Sequence, residues 1–259
     1  MSRKLDVLIL VVAFFSAALA ARAEPTQLEV RVISKGAKFV GTSMGGVLIT
    51  IRNADTGELL AEGVTAGGTG DTDRIMKTAL RRLEPLSTED AAAFRTTLDL
   101  AIPQRLEVAA FGPLAQRQAA NRVTSTMWVV PGKHVTGGDG WLLELPGFAV
   151  DVLDPPAAQR LRGAPRAVAV RANVVMMCGC PVEPGGLWDA SRFEVRAVAS
   201  RDGAKVREFA MRYAGQTSQF AGELADLEPG SYEVLVYAHD PANGNTGLDR
   251  TTFVVEAAP

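Results

Sequence analysis

The chain alternates apolar and polar residues with a period of two in many short runs. Leu28, Val30 and Val32 fall on one side of such a run, and Glu29 and Arg31 fall on the other. This is the pattern of a strand with one buried face. Similar runs cover residues 47–52, 59–64, 94–100, 106–111, 123–130 and 141–152. Each is rich in β-branched or aromatic residues and bounded by Gly, Pro or Asp, which end strands and form turns. Asn53-Ala54-Asp55-Thr56-Gly57 is one such turn. Helical signal is sparse. Residues 73–83, with Lys77, Arg81 and Arg82, predict a short helix stopped by Pro85, and Ser87-Thr88-Glu89-Asp90 predicts a second helix start. Neither is long enough to build strand-helix-strand units, so the predicted class is all-β.

Asp154-Pro155-Pro156 ends the first series of strands. Residues 156–165, with Arg160, Arg162, Gly163 and Pro165, read as a linker. The alternation resumes with Val168, Val170, Ala172, Val174 and Met176, followed by runs at 193–198, 206–213, 220–224, 232–238 and 251–255. Turn signals recur every roughly 8–12 residues, which is the spacing of a sandwich. The predicted fold is therefore two antiparallel β-sandwiches. The first spans residues 24–155, with an insertion from Gly67 to about Ala93; the second spans 166–259.

The N-terminus stands apart from this pattern. Arg3 and Lys4 precede an almost wholly apolar stretch at 7–19, and Ala21-Arg22-Ala23 precedes Glu24-Pro25. This predicts a cleaved secretory signal peptide over residues 1–23. The apolar stretch is shorter than the roughly 20 residues of a membrane span, and no later stretch approaches that length. The expected mature chain has no membrane span and is periplasmic or secreted.

Composition narrows the reading further. The 259 residues carry a net charge of −2, which gives no electrostatic case for a nucleic-acid partner. Apolar residues at 47% and charged residues at 22% are those of a chain able to build a core. The two Cys and two His are four in number but lack the ligand spacing of a closed Cys/His zinc site.

Two family resemblances rest on particular stretches. Residues 47–61, Val-Leu-Ile-Thr-Ile-Arg-Asn-Ala-Asp-Thr-Gly-Glu-Leu-Leu-Ala, resemble carboxypeptidase-regulatory or transthyretin-like modules. The long insertion after Gly67 departs from that pattern. Residues 227–234, Leu-Glu-Pro-Gly-Ser-Tyr-Glu-Val, with Ala238-His239-Asp240 and Gly244-Asn245, resemble bacterial immunoglobulin-like domains. In that resemblance Tyr232 is similar to a tyrosine corner, whose hydroxyl bonds nearby backbone. Both families imply binding or scaffolding, not catalysis.

Motifs that look catalytic fail on their surroundings. Gly41-Thr42-Ser43-Met44-Gly45 matches G-x-S-x-G, but that motif needs a helix after the serine, and residues 47–51 read as a strand. No His precedes Ser43, as a subtilisin-like arrangement would require. The Gly67-Gly68-Thr69-Gly70-Asp71-Thr72-Asp73 stretch lacks the Lys of a phosphate loop. Asp71 with Asp73, and Asp240, Asn243, Asn245 and Asp249, are oxygen-rich sets that suit either Ca²⁺ or plain turns. His134 is expected at the tip of a hairpin loop flanked by Trp128 and Trp141. No enzyme is expected.

The distinctive chemistry lies in Met176-Met177-Cys178-Gly179-Cys180-Pro181. On an extended strand Met176, Cys178 and Cys180 share a face and Met177 points away. Three soft sulfurs, joined by Met177 after a turn, suit Cu(I). The alternatives are a disulfide between Cys178 and Cys180, which Gly179 would help to close, or a labile thiol pair. Lettering the strands from 166–176 as A and 191–199 as B puts the cysteines in the A–B turn. His239 then falls at the opposite end of the sandwich, some ~20 Å away, with Asp226 and Glu228 on the cysteine end.

The expected function is an exported, non-enzymatic binding or scaffold module of the cell envelope, with a protein or surface partner. No cofactor is expected in that reading. The alternative is a soft-metal (copper) or thiol-redox protein built on Met176, Met177, Cys178 and Cys180.

Overall fold

The computed structural model describes residues 22–79, 81–163 and 165–257. The expected signal peptide lies almost wholly outside the described residues. Among the described residues strands dominate, with one short α-helix and three 3-10 turns.

The first sandwich contains β1 (Glu24–Ser34), β2 (Leu48–Asn53), β3 (Leu59–Val64), helix α1 (Thr72–Met76), β4 (Phe94–Leu100), β5 (Gln104–Gly112), β6 (Asn121–Val129) and β7 (Trp141–Leu145). One sheet has the order β4-β1-β7, with β1 and β7 parallel, and the other has the order β3-β2-β5-β6. Leu28, Val30 and Val32 meet Ile49, Ile51, Leu106 and Val108 between the sheets. The predicted inward faces are thus the buried ones. The helix predicted over 73–83 is a single turn, capped by the Asp71 side chain, which accepts from the Arg74 N–H. Residues 87–90 form a turn and not a helix. Arg31 is buried and ties the insertion down by donating to the carbonyls of Ala91 and Ala92 while pairing with Glu29. Asp139 accepts from the backbone N–H groups of Leu86 and Ser87.

The second sandwich contains β8 (Phe148–Asp154), β9 (Gln159–Leu161), β10 (Ala167–Met176), β11 (Glu194–Arg201), β12 (Ala204–Ala210), β13 (Arg212–Tyr213), β14 (Gln219–Ala225), β15 (Gly230–Asp240) and β16 (Asn245–Val255). Its sheets run β13-β14-β10-β8 and β12-β11-β15-β16-β9. This is the immunoglobulin-like order, D-E-B-A facing C′-C-F-G, with the first strand split so that its second part joins the other sheet. The Tyr232 hydroxyl donates to the Glu228 carbonyl at 2.9 Å and accepts from the Glu228 N–H, which is the expected tyrosine corner.

Two sequence expectations are corrected here. The run 141–152 is not one strand. It breaks at Pro146-Gly147, so that β7 belongs to the first sandwich and β8 pairs with β10 in the second. Residues 159–161, read as linker, form β9 and pair in parallel with β16. Pro155 and Pro156 lack N–H donors, so the strand cannot hold its ladder through them and crosses to the facing sheet instead.

The strand letters therefore shift by one. The cysteines follow the second strand of the sandwich, not the first, and lie in its B–C loop. β11 begins at Glu194, which stands opposite His239 near the end of β15. The cysteine loop and the loop after His239 are at the same end of the sandwich. Asp226 and Glu228 are at the other end, paired with Arg207 and Arg201.

Candidate functional site: the sulfur-rich joint between two sandwiches

β10 ends on Met176, and Met177 follows it in a turn closed by the Gly179 N–H donating to the Met176 carbonyl, at the boundary between the two cores. Successive residues of an extended chain point to opposite faces. Met176 packs into the second core with Cys178, Cys180, Trp188 and Phe148. Met177, fully buried at 0% exposure, packs into the first core with Met44, Leu145 and Ala149. The sulfurs thus divide between two cores, and no turn brings Met177 back to join the others.

Cys178 and Cys180 form a disulfide with their Cα atoms 5.4 Å apart. They are 1% and 5% exposed. Gly179 between them has φ +78°, a conformation that disfavours any side chain, and a Cβ there would come within 2.8 Å of Met44 Sδ from the first sandwich. The Cys-Gly-Cys ring therefore lies flat against the first sandwich. An oxidised pair also offers no thiolate, the form in which cysteine binds metal.

The rest of the cysteine loop completes the contact. Trp188 is 7% exposed, and its indole N–H donates to the Gly36 carbonyl of the first sandwich at 3.0 Å. Ser218, from the loop before β14, donates its backbone N–H to the Val182 carbonyl and accepts from the Val182 N–H through its hydroxyl. Met76 of α1 packs against the same core, so the insertion of the first sandwich also reaches the joint. A cleft of about 230 Å³ remains beside Met176 and Trp188, with Asp240 and Asn243 on its rim.

The loop after His239 closes the other side. Asn245, 2% exposed, accepts from the Gly147 N–H at 2.6 Å and donates to the Gly147 carbonyl at 2.9 Å. It clamps the peptide that connects the two sandwiches. Lys35 of the first sandwich donates to the Asn243 carbonyl at 3.1 Å. Gly247 lies so close to the start of β8 that an added Cβ would meet the Phe148 carbonyl oxygen at 2.1 Å.

The oxygen-rich sets are spent on this scaffolding. Asp240 accepts from Ala242 N–H and Asn243 Nδ2, Asn243 accepts from Asn245 N–H, and Asp249 accepts from Val152 N–H. Asp73 pairs with Lys77. Among the described residues no cluster of three His, Cys, Asp or Glu side chains is arranged to hold a metal ion. Ser43 sits in a 3-10 turn, Thr42–Met44, that leads into strand β2. His134 Nδ1 accepts from the Gln27 N–H, and His239 Nδ1 bonds the Thr246 hydroxyl. The two histidines belong to different sandwiches.

Sequence reasoning found the cysteine loop and Trp188 but missed Gly36 and Met44 as their partners, and missed Asn245 as the partner of Gly147. Asn245 carried a signal only as a turn residue. Its role depends on Gly147, far away in the chain, and nothing local encodes that.

No protein-family model matches the chain. No curated protein matches it either. Solved structures give weak matches. The fibronectin(III)-like modules of Clostridium thermocellum CbhA align over 92% of this chain and 92% of theirs at 12% identity, with a TM-score of 0.28. The I67–I69 I-band fragment of titin aligns over 90% of this chain and 60% of its own at 12% identity, with a TM-score of 0.26. An engineered protein aligns over half of this chain, 16% identical, with a TM-score of 0.32, and the match spans about a quarter of that protein. The fold assignment rests on strand order and not on these matches.

Proposed function

We propose that the chain is an exported, non-enzymatic brace: two sandwiches locked end to end that bind a protein or surface of the cell envelope through sheet faces and strand edges. The observation that carries this reading is the sealed joint. In immunoglobulin variable domains the B–C and F–G loops present the recognition surface. Here the corresponding loops, residues 177–193 and 241–244, are turned onto the first sandwich, with Trp188 and Asn245 bonded to Gly36 and Gly147. That leaves broad sheet faces and edges as the surfaces for partners. The resemblance of residues 47–61 to carboxypeptidase-regulatory modules, read from the sequence alone, and the apolar segment at 7–19 support the same reading of an exported accessory protein.

The test combines location with contact. The chain should be recovered from the envelope or medium with Glu24 as its N-terminal residue. A photo-crosslinker placed at Phe111, on the outer face of the β3-β2-β5-β6 sheet, should capture a reproducible envelope partner, and one placed at Trp188 should capture none. Recovery in the cytoplasm with Met1 retained would contradict export. The copper reading requires reduction of the disulfide and withdrawal of Met177 from the first core. Stoichiometric anaerobic Cu(I) binding that is lost on Cys178→Ser/Cys180→Ser would contradict the brace in its favour.

A further inference from the structure

We propose that β6 is a self-pairing edge through which two copies of this chain join their four-stranded sheets into one continuous sheet. The inference rests on this edge strand alone and holds wherever the chain resides.

β6 ends its sheet. β5 pairs along one side, and among the described residues no strand pairs along the other. Free edges invite pairing with another chain, and proteins usually blunt them with charges, proline, bulges or short length. The other edges of this molecule follow that rule. β4 carries Arg95 and Asp99, β8 carries Asp151 and Asp154, and β12 carries Lys205, Arg207 and Glu208, while β3 and β7, with one charge each in Glu62 and Glu144, are only six and five residues long. β9 and β13 are only three and two residues long. β6 is nine residues, Asn-Arg-Val-Thr-Ser-Thr-Met-Trp-Val, and its single charge is Arg122 near its start. Its Trp128 is 64% exposed and its Met127 is 37% exposed.

The partner is a second copy because the strand is complementary to itself. Two antiparallel copies overlap along their full length when Asn121 faces Val129 and Ser125 faces the other Ser125. That register pairs odd positions with odd and even with even. An antiparallel pair requires this, because alternate residues turn their N–H and C=O groups outward together. It places Arg122 opposite Trp128 twice, a cation over an indole face. It places Thr124 opposite Thr126, also twice, and half-buried Val123 opposite Met127 on the inner face, both favourable cross-strand pairs. Sliding by two residues in either direction separates Arg122 from Trp128 and shortens the overlap.

Sedimentation of the purified chain over a concentration series tests the proposal, with the chain expressed behind its own N-terminal segment. A reversible dimer is expected. Thr124→Lys/Thr126→Lys sets like charges opposite each other, so the dissociation constant should rise at least about tenfold, with the melting temperature unchanged only when both chains are dilute enough to be monomeric. Ser125→Cys adds no charge and reads the register directly. Facing Cα atoms lie within disulfide range, so this variant should cross-link under mild oxidation, whereas Thr124→Cys, offset by two residues from its own copy, should not. A chain that stays monomeric throughout overturns the proposal. So does a dimer indifferent to the lysines, equal cross-linking of both cysteine variants, or a monomer that instead takes up an extended peptide along β6.

Discussion

Met176 and Met177 are neighbours in the chain and belong to different cores. The cause is strand alternation carried one residue beyond β10, since Val174 and Met176 face the second core while Val175 and Met177 face the first. Met177 is thus a side chain of the second sandwich whose burial stabilises the first. Truncation of a buried methionine costs about 2–5 kcal/mol. Met177→Ala should therefore lower stability by that order in denaturant titration, and should do so through both sandwiches at once. A loss confined to one sandwich, read by tryptophan fluorescence of Trp141 in the first and Trp188 in the second, would show that Met177 does not couple them. The disulfide next to it closes a very small ring, which restricts the unfolded chain little. Its contribution is to shape the loop against Met44, not to staple the fold.

At the scale of elements, the period-two alternation located nearly every strand and its buried face. It failed where the chain passes from one sandwich to the other. Residues 141–152 are apolar on both sides of Pro146-Gly147 because Leu145 is buried in the first core and Phe148 in the second. A strand buried by two different partners looks continuous in sequence. That apparent continuity hides one strand of the second sandwich, and with it the end of the sandwich at which the cysteine loop lies. The clamp that marks the true boundary, Asn245 on Gly147, is non-local and so was not legible. Asn245→Ala leaves a buried N–H and a buried C=O of Gly147 unpaired, at about 1–3 kcal/mol each. Hydrogen exchange should accelerate at residues 146–149 in this variant, and unchanged protection there would contradict the clamp.

Charges on the strands of the second sandwich give opposite signs of pH dependence. Lys205 and Arg196 hold the Glu208 carboxyl down to about 2 from its ordinary 4.5. Its contribution is present above pH 4.5 and fades as pH falls toward 2. Glu208→Gln should lower the melting temperature slightly at neutral pH, since the group is exposed, and converge on wild type near the acid limit. Asp151 is pushed up from 3.8 by burial and then by Asp249. The folded protein holds this proton more tightly, so the associated stability is present below 3.8 and lost as pH rises through the raised value. Asp151→Asn should therefore raise the melting temperature at neutral pH and change nothing in acid. Melting curves at neutral and acid pH check both signs, and the same sign for the two variants at neutral pH would contradict one of the causes.

For the whole molecule, the joint turns two sandwiches into one body. Its parts come from both: Met44, Gly36, Lys35 and Met76 on one side, and Met177, Trp188, Asn243 and Asn245 on the other. The Met-Met-Cys-Gly-Cys cluster, the chemically distinctive stretch of the sequence, is buried and packed at that joint. Calorimetric unfolding of the wild-type chain beside Met177→Asp tests this most directly. A single cooperative transition is expected for wild type, splitting into two for the variant as the charge leaves the first core and the sandwiches unfold separately. Two independent transitions already in wild type, or a variant that still unfolds in one step at the wild-type temperature, would contradict it.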